Sequence, residues 1–168
     1  MADLRKAQSR EYLLEAQLRL LEHKAFDDIS ISELCETAGV SRQTFYRLYG
    51  RKEDILLERL DSLLNEVYTA GGPVPSFDET IQNVGRILER EGRFLRCVFA
   101  SNLDFRIIHR FEMLMERILE GYEPEAEREC KVEFTAGGMY LAMKHWCIEE
   151  HAEAGWDFAK CIRNVAVE

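Results

Sequence analysis

Two short helical segments on either side of a single glycine constrain the fold of this chain more than any other feature. Ser30 and Glu33 form a capping pattern, in which the serine hydroxyl accepts a hydrogen bond from the Glu33 amide and the carboxylate reaches back. The pattern predicts a helix over residues 31–38. Gly39 ends that helix, because glycine readily adopts the left-handed backbone conformation.

A second helix follows at once. Ser41 can cap a helix over residues 42–48, and Gly50 ends it. Small Cys35 lets the two helices approach each other, and Phe45 can fill the angle between them. Two helices of about seven residues joined by a glycine turn predict a helix-turn-helix, a motif whose second helix lies in the major groove of DNA.

The rest of the sequence also predicts α-helix, because apolar residues recur at helical spacing and the chain has only 3 prolines. No strand pattern and no internal repeat is found in the sequence. The fold class is therefore predicted to be all-α. The other predicted helices are 3–23, 52–70, 77–91, 93–100, a helix that Asn102 caps and Gly121 ends, a helix from Pro124 to about His151, and a short final helix.

The clearest linker is Gly-Gly-Pro-Val-Pro-Ser, residues 71–76. It predicts two domains. Residues 1–70 form the helix-turn-helix domain with a linking helix, and residues 71–168 form a second helical domain.

The charge of the chain is unevenly distributed. The formal net charge is -9, which by itself argues against nucleic acid as a partner. However, residues 1–60 carry a net charge of -1 and residues 61–168 carry -8. Residues 41–52 contain four basic residues and no acidic residue, so a small basic segment lies within an acidic protein. A solvated helix face is the simpler interpretation of four charges alone.

The side chains of the second short helix favour DNA over that simpler interpretation. Arginine pairs with guanine, glutamine pairs with adenine, and threonine contacts a base edge or a phosphate. The helix presents all three types, with a tyrosine and a second arginine beside them: Arg42, Gln43, Thr44, Tyr46 and Arg47.

The segment ISISELCETAGVSRQTFYRLYGRKEDIL resembles the N-terminal DNA-binding domain of TetR-type (TetR/AcrR) transcriptional regulators. That family has a Ser- or Thr-capped helix, then Ala-Gly-Val-Ser, then Thr-x-Tyr-x-x-Phe and Lys-Glu. Here the turn is Ala38-Gly39-Val40-Ser41, the second helix carries Thr44 and Tyr46, and Lys52-Glu53 begins the next helix. The resemblance extends over about residues 8–65.

The resemblance implies a role for each matching position. Arg42, Gln43 and Thr44 would face base edges, and Tyr49, in place of the family's Phe, would bring a hydroxyl near the surface. Arg51 stands where a capping residue is common and adds a charge that attracts phosphate. The residues expected at the phosphates, together with the flanking basic side chains, are Ser30, Ser41, Tyr46, Arg47, Arg51 and Lys52.

The resemblance also implies that the second domain binds a small-molecule effector and forms a homodimer. Gly137 and Gly138 lie inside a predicted helix, where each glycine costs about 1 kcal/mol relative to alanine, so a close partner helix or a bend beside a cavity is expected. Plain core packing is the alternative for every candidate cavity residue. The candidates are Phe94, Cys97, Phe99, Met113, Met139, Tyr140, Met143 and Trp146.

Other classes of function find little support in the sequence. The i, i+4 pairs His145/Glu149 and Cys147/His151 lie on different faces with no third ligand, so no metal site and no cofactor is predicted. No catalytic motif is present, so the protein is not expected to be an enzyme. No apolar run suits a membrane span or a signal peptide, which favours a cytoplasmic protein.

Together these patterns predict a dimeric, ligand-responsive transcriptional regulator that binds double-stranded DNA. In this interpretation it is a repressor that a small molecule releases from a palindromic operator. The alternative is a co-activator or adaptor of the same fold that acts through a protein partner. The basic segment 41–52 distinguishes the two, because an adaptor has no need for it.

Overall fold

The protein was analysed as a computed structural model that describes residues 2–70, 76–120, 125–149 and 157–166. These residues form α-helices and one 3-10 turn, Phe26–Asp28, and no strand occurs among them. The all-α prediction is confirmed. The helices are α1 (Ala2–Leu21), α2 (Ile31–Ala38), α3 (Arg42–Leu48), α4 (Glu53–Thr69), α5 (Phe77–Arg90), α6 (Gly92–Phe99), α7 (Asp104–Leu119), α8 (Glu125–Ile148) and α9 (Phe158–Ala166).

Local capping explains where most of these helices begin and end. The hydroxyls of Ser30, Ser41 and Ser76 each accept a hydrogen bond from the amide three residues later, and the first two of these caps are the ones predicted above. Gly39 ends α2 with a φ of 64°, the left-handed conformation that a side chain rarely tolerates. The predicted carboxylate half of the first capping box is not formed, because Glu33 pairs with Lys24 instead.

A small hydrophobic core joins α1, α2 and α3. Phe45 on α3 is fully buried, and Leu13 on α1 and Leu34 on α2 pack in the same cluster. Ile55 on α4 also packs in this cluster. The angle between α2 and α3 is therefore held by side chains from four helices.

A larger core occupies the rest of the protein and includes most of α4. Leu56, Leu60 and Val67 of α4 pack in this larger cluster, whereas Ile55 packs in the smaller one. The linking helix thus belongs to both cores. The predicted linker, 71–76, lies outside the described residues except for Ser76.

The structure corrects one predicted cap. Asn102 does not cap α7, which begins at Asp104 with Leu103 as its N-cap residue. Asn102 instead has a φ of 56°, a left-handed conformation that asparagine adopts more readily than most residues. The predicted boundaries at Gly121, Pro124 and His151 fall outside the described residues.

Candidate nucleic-acid interface

Helix α3 presents one buried face and one polar face. Phe45 is fully buried, and its ring contacts those of Tyr46 and Tyr49 at centroid distances of 5.3 and 6.1 Å. On the other side, Arg42, Gln43, Tyr46 and Arg47 are exposed. The exposed face carries two arginines and no carboxylate, which is the electrostatic character that phosphate binding requires.

The three residues predicted to face base edges differ in exposure. Arg42 and Gln43 are exposed, whereas Thr44 is half-buried. The Thr44 Oγ1 lies 3.0 Å from the Ser41 Oγ, so the two hydroxyls share a hydrogen bond at the start of α3. Arg42 and Gln43 therefore have the freer side chains for a base contact.

Both serines that begin the short helices are exposed. The Ser30 Oγ accepts from the Glu33 amide at 3.1 Å, and the Ser41 Oγ accepts from the Thr44 amide at 3.1 Å. The N-terminal end of a helix attracts anions, because its first N–H groups have no intrahelical partner and the helix dipole is positive at that end. Each exposed start can therefore receive a phosphate oxygen.

Lys52 has contacts different from those predicted. Its Nζ donates to the carbonyl oxygens of Phe26 and Ile29, both at 2.7 Å, and of Asp27 at 3.3 Å. The ammonium also lies 4.6 Å from the centroid of the Phe26 ring. All three N–H donors are used inside the protein, so this arrangement departs from the predicted phosphate contact.

A second contact fixes the same junction. The buried side chain of Gln17 donates from Nε2 to the Lys52 carbonyl oxygen at 3.1 Å. Gln17 and Lys52 thereby connect α1, the 3-10 turn and the start of α4. Sequence reasoning missed this connection, because its members are 23 to 35 residues apart along the chain.

The turn between α3 and α4 depends on a residue that the sequence analysis did not select. The Asp54 Oδ2 accepts from the Gly50 amide at 3.1 Å and from the Arg51 amide at 2.8 Å. The carboxylate supplies the cap that Arg51 does not. An acidic residue three positions after Arg51, in the first turn of α4, was the available signal. Arg51 itself is exposed.

The side chain of Tyr49 is buried. Burial and the neighbouring Glu58 raise the pKa of the Tyr49 phenol above its ordinary value, while Arg10 opposes the shift. The hydroxyl therefore stays protonated beside Arg10 and Glu58, whose side chains are partly exposed. Cys35 is buried as predicted, and burial raises the pKa of its thiol.

The predicted effector residues lie mostly in packed core. Met139 and Met143 line a cavity of about 20 Å³, room for about one water molecule. Cys97 is half-buried. Met113 does not line this cavity and is half exposed on α7, which corrects its assignment. The remaining candidates are buried aromatic residues: Phe94, Phe99, Tyr140 and Trp146.

A polar contact fixes one of these aromatic residues in place, and a ring contact fixes another. The Tyr140 hydroxyl donates to Asp104, and Lys144 donates to the same carboxylate. These contacts lower the pKa of Asp104 and raise the pKa of Lys144, so the pair is ionised. The Trp146 ring packs edge-on against Phe158 at 5.6 Å between centroids. The arrangement is that of a structural core.

Helix α8 exposes an apolar stripe. Phe134, Leu141 and Ile148 are spaced by seven residues and are 81%, 64% and 45% exposed. A Cβ added at Gly137 or Gly138 would meet nothing within 4 Å, so no neighbour among the described residues requires those glycines. On α7, Phe105 and Met113 are also exposed.

The described ranges contain neither a membrane-spanning helix nor a cluster of metal ligands. No helix in them is both long and apolar enough to cross a membrane. Nor do three or more His, Cys, Asp or Glu side chains come together there in a group that suits a metal ion. His151, the partner of Cys147 in one predicted pair, lies outside these ranges.

Comparisons with known proteins agree on the N-terminal part of the chain. The model of the tetR family of bacterial regulatory proteins matches residues 13–58. The HTH-type transcriptional regulator EthR of Mycolicibacterium smegmatis is 44% identical over 52 residues, which cover 31% of this chain and 24% of EthR. EthR of Mycobacterium tuberculosis is 41% identical over 54 residues, or 32% of this chain and 25% of that protein. These matches span about a quarter of each relative.

A longer but weaker similarity covers most of the chain. The HTH-type dhaKLM operon transcriptional activator DhaS of Lactococcus lactis is 20% identical over 121 residues, which cover 71% of this chain and 65% of DhaS. A solved structure of the dihydroxyacetone kinase operon activator DhaS superimposes with a TM-score of 0.63 at 17% identity, covering 94% of this chain and 92% of that one. At this identity the likeness shows a shared fold.

Proposed function

We propose that this chain, whose residues 13–58 match the model of the tetR family of bacterial regulatory proteins, is a dimeric transcriptional regulator whose α3 binds the major groove of double-stranded DNA. One observation carries the proposal. In a protein of net charge -9, the exposed face of α3 has two arginines, a glutamine and no carboxylate. That face is held in place by the buried ring of Phe45.

The contacts divide into those that specify a sequence and those that position the protein. Arg42, Gln43 and Thr44 are proposed to contact base edges. Phosphates are proposed to meet the exposed hydroxyl of Tyr46 and the charges of Arg47 and Arg51, together with the helix starts at Ser30 and Ser41. Lys52 is proposed to hold the start of α4 against the 3-10 turn.

A homodimer follows from the exposed stripe of α8. Phe134, Leu141 and Ile148 repeat every seven residues, as in helices that pack lengthwise against each other. Gly137 and Gly138 lie in the same stretch with open space above them, which lets a partner helix approach closely. The occupant that fits this self-complementary stripe is α8 of a second copy of the chain.

Two-fold symmetry sets the expected form of the operator. The two α3 helices of a dimer would enter major grooves about one helical turn, about 34–36 Å, apart or somewhat more. Each would contact one half-site. The operator is therefore proposed to be an approximate palindrome.

An effector response and repression complete the proposal. An effector that binds the DNA-free form more tightly lowers the affinity for DNA, and DNA lowers the affinity for the effector by the same factor. Because α4 packs in both hydrophobic cores, its displacement is a direct route between the two halves of the chain. DhaS, the relative of similar fold, is described as an activator, so the sign of control requires its own experiment.

Replacing Gln43 with alanine tests the base contact. We expect Gln43→Ala to relax the preference at one base position per half-site by about 1–3 kcal/mol, because the amide pairs with a single base. Competition with operators substituted at each position measures the change. Gln82→Ala on α5 is the matched control and should leave the preference intact. An unchanged preference profile for Gln43→Ala would contradict the assignment of α3.

Arg51 and Lys52 are neighbours in sequence with different proposed roles, so they make a matched pair. Arg51→Ala should weaken binding to all sequences and reduce the slope of log affinity against log salt by about 1, because it removes one phosphate contact. Lys52→Met should keep that slope but lower the unfolding midpoint, because it leaves carbonyl oxygens of the 3-10 turn without a donor.

Salt titrations of DNA binding and thermal unfolding separate the two roles. The result that contradicts the structural role of Lys52 is a reduced salt slope in Lys52→Met together with a parental unfolding midpoint.

A further inference from the structure

The DNA-binding unit, defined as α1, α2 and α3, is attached to the rest of the chain in two places. One is α4, which packs in both hydrophobic cores. The other is the contact between α1 and the start of α6, which we call the α1/α6 joint. There, Leu18 and Phe94 pack in the larger core. Because α1 and α3 share the smaller core, a tilt at this joint moves α3 as well.

The α1/α6 joint is incompletely packed. A cleft of about 650 Å³ lies between α1, α4 and the start of α6, and Leu14, Leu18 and Phe94 line it. The cavity inside the larger core, by contrast, has a volume of about 20 Å³. Close packing makes a protein interior rigid, so helices that enclose a cleft of this size tilt against each other more easily than closely packed ones. The stiffness of the joint therefore depends on the contacts beside the cleft.

Arg93 makes a two-point contact across this joint. Its Nε lies 2.8 Å from the Glu22 Oε1, and its Nη1 lies 3.3 Å from the Glu15 Oε1. Glu15 lies in α1 and Glu22 directly follows its last residue, so one guanidinium holds the C-terminal part of α1 at two places. Glu22 is the principal partner, because Glu15 also lies 3.7 Å from Arg19 of its own helix. Within the described ranges, these are the ion pairs that join α1 to a helix after α4.

A dimer on DNA would load this joint whenever the spacing of the half-sites changes. One added base pair moves a half-site about 3.4 Å along the duplex and rotates it by about 34–36°. Each DNA-binding unit must tilt against its second domain to follow, and a stiff joint resists the tilt. The Arg93 side chain is 44% exposed, and such ion pairs contribute little to stability. A dimer makes the contact twice, however, and both copies are strained together.

We propose that Arg93 is a positioning residue that determines which half-site spacing the protein accepts, acting through α1 rather than by a contact with DNA. This role rests on the proposed function, since only a dimer that binds two half-sites has a spacing to select. Loss of the contact should leave the affinity for the preferred operator close to that of the parent. It should also admit operators that are one base pair longer or shorter.

The test titrates the full chain with a selected operator and with versions of it whose half-sites are one or two base pairs closer or farther apart. Arg93→Gln should reduce the preference for the best spacing about three- to tenfold, with the affinity for the best operator changed less than about twofold. Glu22→Gln should have a similar effect, and the double variant should add little, because both substitutions remove the same contact. Arg86→Gln is the matched control, since Arg86 donates to Asn83 within α5, and it should keep the parental preference.

The spacing profile separates this role from general destabilisation and from a failure of the proposed function. A parental profile in Arg93→Gln overturns the role of Arg93 and leaves DNA binding supported. Equal weakening at every spacing also overturns it, because a looser joint changes the preference and not only the affinity. Additive effects in the double variant would show that Arg93 does not act through Glu22. A parent that binds no operator at any spacing contradicts the proposed function and this role together.

Discussion

Replacing Phe45 with alanine should destabilise the small core by about 3–5 kcal/mol and abolish DNA binding, the largest loss expected of any single substitution here. The ring is fully buried and touches side chains from α1, α2 and α4 across one small cluster. When the ring is removed, few side chains in a cluster of this size can move to fill the cavity that it leaves. Because α3 has only seven residues, the position of its exposed face depends mainly on this ring, with Leu48 and Tyr49 packed against the same cluster.

Hydrogen exchange and denaturant titration measure the Phe45→Ala effect, with operator binding followed on the same samples. Phe45→Leu is the conservative control, since a smaller hydrophobic side chain retains most of the packing and should cost much less. The larger core, from α4 to α9, should keep its protected amides in both variants. A Phe45→Ala protein with parental stability and operator affinity would show that α3 is not held as described.

Replacing Leu141 with glutamate should convert the dimer to a monomer and lower operator affinity about 100-fold or more. Leu141 is the middle member of the apolar stripe of α8 and is 64% exposed in the single chain. In a two-fold interface the substitution places two carboxylates within the same apolar contact, where they lose hydration without gaining a partner. A monomer also loses the gain in affinity that comes from binding two half-sites together.

Sedimentation measures the oligomeric state, and titration with full and half operators measures the loss of operator affinity. Ala100→Glu at the exposed end of α6 adds the same charge outside the stripe and should leave both unchanged. The Leu141→Glu monomer should bind half-sites as the parent does. If Leu141→Glu remains a dimer with parental affinity, the partner helix lies elsewhere.

Features determined by neighbouring residues could be predicted from the sequence. Ser30, Ser41 and Ser76 cap helices because the hydroxyl and the amide that it binds are three residues apart. Gly39 takes the left-handed conformation that ends α2. The bounds of α2 and α3 follow from these short-range contacts alone, and they match the predictions.

Features determined by contacts between distant residues could not be predicted from the sequence. Lys52 has the pattern of a phosphate-binding residue, yet its ammonium bonds to carbonyls more than 20 residues away in the chain. Asn102 has the sequence pattern of a cap, but it takes a left-handed conformation two residues before α7 begins. Met113 is a different case, because it lies two residues after buried Phe111 and outside the apolar stripe of α7, so the helical spacing itself places it on the exposed side.

The net charge of -9 limits non-specific attraction to DNA but does not argue against specific binding to DNA. Most of the excess acid lies after residue 60, while residues 41–52 carry +4. Non-specific attraction to DNA should therefore be weak, and specific binding should depend on a few contacts made twice by a dimer.

Selection of bound sequences from random duplex DNA tests that central claim most directly. The account predicts enrichment of a palindrome whose half-sites are about one helical turn apart. The same selection with Gln43→Ala should return the same palindrome with one position per half-site relaxed. No enrichment, or enrichment of a single asymmetric site, would contradict a dimer that binds DNA through α3.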